Sequence, residues 1–309
     1  MIDVLDSARS TDRRMELAKM TSTGSVDVPW LRPVTAGGGP LLTRAGQVVY
    51  ASRRLSELVH GRPPGITGHQ WSTAIREGFD QVVCAADTGR PLFALDIAAP
   101  PAAGSPEQRA ERMKSAVCAA IDLAVLRIES PTLRGADHGR RIVEYVIDAR
   151  GYAEATAAGP EGVEPVGFRD IIGRLPDGRN GHVNDLGALT RAAAVEAYVE
   201  RRLADPIVRG LHARWKDGAA EGWSWVEVRS GRCLVERVRV VPQRFSCGVD
   251  PARLAEDLSA LAVGERLRGL EAGEPPLVDR DQLRADIRRL ASRRDELDGD
   301  FAFAHLCAD

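Results

Sequence analysis

No CxxC pair, no HxH and no HExxH spacing occurs in this chain of 309 residues. Five cysteines, Cys84, Cys118, Cys233, Cys247 and Cys307, stand far apart, so neither a zinc knuckle nor a disulfide framework is supported and buried free thiols are expected. Without HxH or HExxH, the six histidines, His60, His69, His138, His182, His212 and His305, give no local metal motif, and there is no Gly-x-Ser-x-Gly nucleophile elbow. Charge of one sign is also lacking. Lys plus Arg is 42 against 44 for Asp plus Glu, a net −2, so no global field draws the chain to nucleic acid or membrane and any phosphate-binding surface must be a local patch. No run approaches the roughly 18 to 20 apolar residues of a membrane span. The first 19 residues mix charge throughout, without the apolar core of a signal peptide. No membrane partner and a cytoplasmic location are therefore expected. The triple glycine Gly37-Gly38-Gly39 is followed by Pro40-Leu41 rather than Lys-Ser/Thr, which reads as linker and not as a phosphate loop.

What is present is a 44% hydrophobic composition, enough for a globular core. Residues 1–40 read as a flexible arm. From Leu41 to Val59, with Thr43 as N-cap, the apolar positions Val48, Val49, Leu55, Leu58 and Val59 predict a helix, stopped by His60-Gly61-Arg62-Pro63-Pro64-Gly65. Ile142–Ile147 reads as strand or helix start. Gly, Pro and turn dipeptides between 151 and 185 predict a linker and a domain boundary. Beyond it come a helix from Leu186 to about Leu203, a second short helix to Trp215, and a hairpin of Trp223–Val228 and Leu234–Val241 around Arg229-Ser230-Gly231-Arg232, ended by Pro242. Two more helices follow, Asp250–Leu270 and Asp279–Leu297, the latter with Leu283, Ile287, Leu290 and Leu297 on one stripe. Trp215, Trp223 and Trp225, near Arg214 and Lys216, read as hairpin packing in preference to a base-stacking platform.

The chain is organised around Phe79–Ile128. Here Phe79-Asp80-Gln81-Val82-Val83-Cys84, a turn at Asp87–Pro91, Leu92-Phe93-Ala94-Leu95-Asp96-Ile97-Ala98, a helix over Pro106–Ala120 and Leu123–Ile128 give strand, turn, strand, helix, strand. A small mixed sheet of that order presents Asp80 and Asp96 on neighbouring strands, with Lys114 on the helix after them. Two acids and a lysine are the parts of a metal-dependent phosphodiesterase. A hard divalent cation, Mg2+ or Mn2+, takes carboxylate oxygens and acidifies its bound water, and an ammonium stabilises the charge built up at phosphorus. Glu77 and Gln108 are second-tier candidates for orienting metal or water. Each residue alone also has an ordinary reading: Asp80 as a cap or arginine partner, Asp96 as a strand end, Lys114 as a solvated helix residue.

Residues 41–129 resemble a bacterial family, domain-of-unknown-function family 2726, of the restriction-endonuclease-like superfamily known by its PD-(D/E)XK motif. The resemblance is carried by Asp80, by Pro91-Leu92-Phe93-Ala94-Leu95-Asp96 and by Leu126-Arg127-Ile128. It implies Asp80 and Asp96 as metal ligands and Lys114 as a lysine migrated to the following helix. The chain departs from the motif two residues after Asp96, where Ala98 stands in place of lysine. The expectation is an α/β protein: a restriction-endonuclease-like small mixed sheet flanked by helices in 41–150, a linker at 151–185, and a mainly helical C-terminal domain with a hairpin in 186–309. The functional reading is a DNA- or RNA-related binding or accessory factor with a degenerate phosphodiesterase site, needing no cofactor. Its alternatives are an active nuclease dependent on Mg2+ or Mn2+ and a protein-interaction module whose partner docks on 186–309.

Overall fold

A computed structural model describes residues 30–34, 39–136, 138–159, 166–174, 178, 180–271, 276–299 and 302–303. Residues 1–29 of the expected arm lie outside these. Trp30–Val34, by contrast, packs on the body: Leu31 bridges to Val59, Leu31 and Val34 are buried, and Arg32 donates to the Val59 carbonyl at 2.6 Å.

The expected helix at 41–59 is a hairpin, β1 (Leu42–Arg44) and β2 (Gln47–Arg54), followed by the single-turn α1 (Leu55–Leu58). Two features decide it. Ala45 and Gly46 both take positive φ, 49° and 72°, which makes a tight turn, and Val48-Val49-Tyr50 are residues that fit a pleated surface better than a helix. After α2 (Gly68–Ala74), the central stretch forms as expected: β3 (Gly78–Ala85), β4 (Pro91–Ala98), α3 (Pro106–Ala120) and β5 (Ala124–Glu129). Ser105 caps α3 by accepting from the Gln108 amide at 3.1 Å, and Pro106 occupies its first turn, where a missing N–H does no harm. The short α4 (Pro131–Gly135) leads into α5 (Gly139–Ala157), which resolves Ile142–Ile147 as helix and takes up the first residues of the expected linker.

The remaining elements are a two-stranded ribbon of β6 (Ile172–Arg174) and β7 (Asn180–His182), then α6 (Ala188–Val199), β8 (Arg209–Arg214), β9 (Ala220–Arg229), β10 (Arg232–Gln243), α7 (Pro251–Arg268), β11 (Val278–Asp279), α8 (Arg280–Ser292) and β12 (Ala302–Phe303). Three expectations are corrected here. The second short helix before Trp215 is the strand β8, because Leu211 and Ala213 alternate with polar neighbours. Pro242 does not end the hairpin; β10 runs through it and pairs with β5, Pro242 opposite Leu126. Because of that pairing the C-terminal region is not a mainly helical domain of its own: the main sheet runs β1-β2-β3-β4-β5-β10-β9-β8-β12, with β11 on β10. All its pairs are antiparallel except β4 with β5. The result is a mixed sheet flanked by helices.

Strand parity splits the side chains between two layers. Val82, Cys84, Ala94 and Val125 meet Val117, Cys118 and Ile121 of and after α3. Phe93, Leu95, Leu126, Ile128, Val238 and Val240 face the opposite way, onto Ile142, Val146 and Ile147 of α5 and Leu254, Ala255 and Leu258 of α7. A third cluster seats the apolar stripe of α8, Leu283, Ile287 and Leu290, on Leu211, Trp223 and Trp225. All three tryptophans named above are buried, with Arg237 stacked 3.8 Å over Trp223 and Arg293 4.3 Å over Trp215, so they seal the sheet. The described cysteines are buried and free, and burial pushes the Cys84 and Cys118 thiols up to about 12, which leaves them protonated and poorly nucleophilic. Among the described residues no helix is long and apolar enough to cross a membrane.

Candidate functional site

Parity and register bring the central acids together. Gln81 is opposite Leu95 and Val82 opposite Ala94, so the next step of the same register sets Asp80 beside Asp96; on the far side Asp96 is opposite Arg127 of β5. These side chains leave the sheet on the α3 face, at the end where the apolar packing of α3 runs out. Glu111 and Lys114, one helical turn apart on α3, come down onto them. They line an open cleft of about 670 Å3 together with Glu77, Arg134, Glu107 and Ala110 of α3, and Ala98 to Ala102, including Pro100 and Pro101.

Lys114 is buried, and its ammonium lies 2.8 Å from Asp96 Oδ2, 3.0 Å from Glu111 Oε2 and 3.3 Å from the Gly78 carbonyl, with the Phe79 ring centroid 5.0 Å away. Three donors meet three acceptors. Arg127 donates to the same Asp96 Oδ2 at 3.2 Å, to Glu129 Oε1 at 3.2 Å and to Glu111. Asp80 is held apart from this network: its Oδ2 accepts the Ile97 backbone N–H.

The charges follow from these contacts. Burial works against ionising Lys114, Arg127 and Glu111, but their mutual attraction outweighs it: the Lys114 and Arg127 pKa values are raised and that of Glu111 is lowered, so all stay charged. Asp80 moves the other way. Asp80 is exposed to the cleft, yet partial desolvation by the cleft walls and the neighbouring Asp96 raise its pKa against the opposing pull of the Ile97 N–H, Lys114 and Arg134.

Of the residues expected at the site, Asp80, Asp96 and Lys114 converge, and Glu77 is among the cleft-lining residues. Gln108 does not reach the cleft lining: its side-chain oxygen accepts from the Gly104 amide at 2.8 Å, closing the loop that enters α3. Sequence reasoning missed Glu111, Arg127, Glu129 and Arg134. Glu111 carried a signal, three residues before Lys114 on a helix, and Arg127 and Glu129 share one strand parity. Their link to Asp96 depends on the β4–β5 register, which no local pattern encodes.

The cluster suits a hard divalent cation poorly. Such an ion needs several free carboxylate oxygens, whereas Asp96 Oδ2 is taken by Lys114 and Arg127, Asp80 Oδ2 by a backbone amide, and Ala98 offers no further side-chain oxygen. Among the described residues no three of His, Cys, Asp or Glu stand close enough to hold a metal. Compared with known proteins, the chain matches no protein-family model, no curated protein and no solved structure.

Proposed function

We propose that this protein is a nucleic-acid-binding or accessory factor built on a restriction-endonuclease-like sheet whose phosphodiesterase site is degenerate. The observation that carries the reading is the double engagement of Asp96 Oδ2 by Lys114 at 2.8 Å and Arg127 at 3.2 Å. In a working site the acid would hold the cation and the lysine would face the substrate. Here the two cations neutralise the acid in place of a metal, and Glu111 and Glu129 hold them there. What remains is an open cleft lined in part by the exposed Arg134, which acts on Asp80 only at a distance, makes no direct ion pair with any described residue and so offers its guanidinium to a phosphate.

A second reading, an active nuclease dependent on Mg2+ or Mn2+, draws on the same geometry, since Lys114 does reach Asp96 from the helix that follows. Incubating single- and double-stranded DNA and RNA with the protein in Mg2+, Mn2+ or EDTA separates the two. The degenerate reading expects salt-sensitive retention with the strands intact. Metal-dependent cleavage that disappears in Asp80→Ala overturns it in favour of the nuclease.

A further inference from the structure

The segment from Val166 to Gly187 meets the body of the protein at two feet. Between them, among the described residues, β6 and β7 pair only with each other, and the Val183 amide closes their base by donating to the Ile171 carbonyl at 3.1 Å. The second foot is packed tightly. Leu186 is buried, its carbonyl accepts from Arg141 at 3.2 Å, and a Cβ on Gly187 would stand 2.8 Å from that of Ala260 on α7. The first foot, Val166–Asp170, is lighter. Its Val166 carbonyl accepts from the Tyr152 hydroxyl at 2.7 Å, Phe168 lies against the Tyr145 and Tyr152 rings with centroids 5.3 and 5.6 Å away, and Arg169 reaches down to Asp257 of α7.

The Asp257 side chain is fully buried, yet Arg169 binds it through one oxygen only, at 2.6 Å. Its Oδ2 has no hydrogen-bond partner, and neither do Arg169 Nε and the Tyr145 hydroxyl. An ionised carboxylate spreads its charge over both oxygens, and a bare one in the interior costs more than a single arginine contact returns. A proton on Oδ2 removes that cost. The surrounding groups act in the same direction on balance. Asp185, in the loop before α6, repels the negative form of Asp257; Arg169 and Arg191 attract it, but Arg191 is itself bound to Asp185 at 2.5 Å. Glu256, the neighbour of Asp257 on α7, is engaged by His212 of β8 at 2.6 Å, and Tyr145 of α5 and Cys247 before α7 are held protonated by burial. Burial first and Asp185 next push the Asp257 carboxyl up to about 8.

We propose that Val166–Asp170 is a proton-operated latch, closed over Asp257 while that carboxyl carries a proton on Oδ2 and released, with water admitted to the seam between α5 and α7, once the proton leaves to solvent. The closed latch holds Asp257 at its raised value and the open one at its ordinary 3.8. Closure is therefore strongest below about pH 4, weakens about tenfold per pH unit as pH rises, and levels above about 8.

Trypsin can cut after Arg169 only when its guanidinium has left Asp257, whereas Arg174 on β6 is exposed in the closed state. The initial rate of cutting after Arg169 relative to that after Arg174, followed on the full chain by mass spectrometry from about pH 6 to 9, tracks the opening equilibrium and cancels the pH dependence of the protease itself. Wild type is expected to show a rise of about fifty-fold between about pH 6 and 8 that levels by about 9, and Asp257→Asn a flat ratio. A wild-type ratio that does not change with pH overturns the proposal, as does a rise that persists in Asp257→Asn. Asp185→Asn, which keeps Asp257 in place and removes the charge that repels it, is expected to level at lower pH; an unmoved profile overturns the proposal as well. Equal acceleration of cutting at Arg127, which is buried in the sheet, is whole-chain unfolding and likewise overturns it.

Discussion

Replacing Lys114 by methionine keeps the length and apolar stem of the side chain and removes only the charge. The Lys114 side chain is 4% exposed, and the ammonium removed is bonded to Asp96, Glu111 and the Gly78 carbonyl. Breaking a buried pair from one side costs about 3 to 5 kcal/mol, because the partner is left buried and unmatched. Arg127 still touches Asp96 and Glu111 in the variant, so the lower end, about 3 kcal/mol, is expected. For 309 residues at about 2.1 cal/mol/K each, that is a fall of about 5 °C in the melting midpoint. The sign of the pH dependence is fixed by the shifts. Lys114 has a raised pKa, so its contribution is full below its ordinary value of 10.5 and is lost only as pH rises through the higher folded value. Glu111 has a lowered pKa, so its contribution is present above its ordinary 4.5 and is lost as pH falls through the folded value. The gap between wild type and Lys114→Met is thus constant from about pH 5 to 10 and closes in acid. Thermal melts at pH 7 and in acid check this. A gap under about 1 kcal/mol at pH 7, the size of an exposed surface pair, refutes the network as drawn.

Other perturbations probe other parts. Asp257 of α7 is fully buried, with Arg169 at 2.6 Å from one oxygen and no partner for the other, and burial, reinforced by Asp185, pushes its pKa up to about 8 against the pull of Arg169 and Arg191. Its neutral form is favoured on folding, so stability falls as pH rises from about 4 to 8; Asp257→Asn should flatten that profile in denaturant titrations and leave the variant the more stable at pH 8. Gly222 of β9 lies where a Cβ would stand 2.1 Å from the Ala255 backbone carbon, so Gly222→Ala forces sheet and α7 apart and should cost about 1 to 3 kcal/mol or more by the same titration. Arg134→Ala should weaken nucleic-acid binding and lower the slope of log affinity against log salt by about 0.7 to 0.9, the loss of one phosphate contact; an unchanged slope would place the contact elsewhere.

Local pattern carried the central strand–turn–strand–helix–strand order, the hairpin around Gly231 and the helices begun at Asp250 and Asp279, because each is set by alternation, a turn or a cap within a dozen residues. It put Asp80 and Asp96 on neighbouring strands and Lys114 above them. It failed where the deciding contact is distant. Val48-Val49-Tyr50 reads as part of a helix until the positive-φ turn at Ala45-Gly46 folds it back along β1 and β3. Pro242 reads as a stop until β5 is beside it, a pairing that spans more than a hundred residues and joins the two halves of the chain into one sheet. Arg127 was visible as a letter in Leu126-Arg127-Ile128, but its part in neutralising Asp96 comes from the parallel β4–β5 register. The site was therefore legible as a set of acids and a lysine, and its self-neutralised state was not.

The most direct test of a binding site without catalysis is one native gel of end-labelled DNA and RNA with the protein in Mg2+ at low salt, half of each sample denatured to read strand length. Retarded nucleic acid whose strands remain full length is the expected result. Shortened strands in Mg2+, absent in EDTA and in Asp80→Ala, would contradict it.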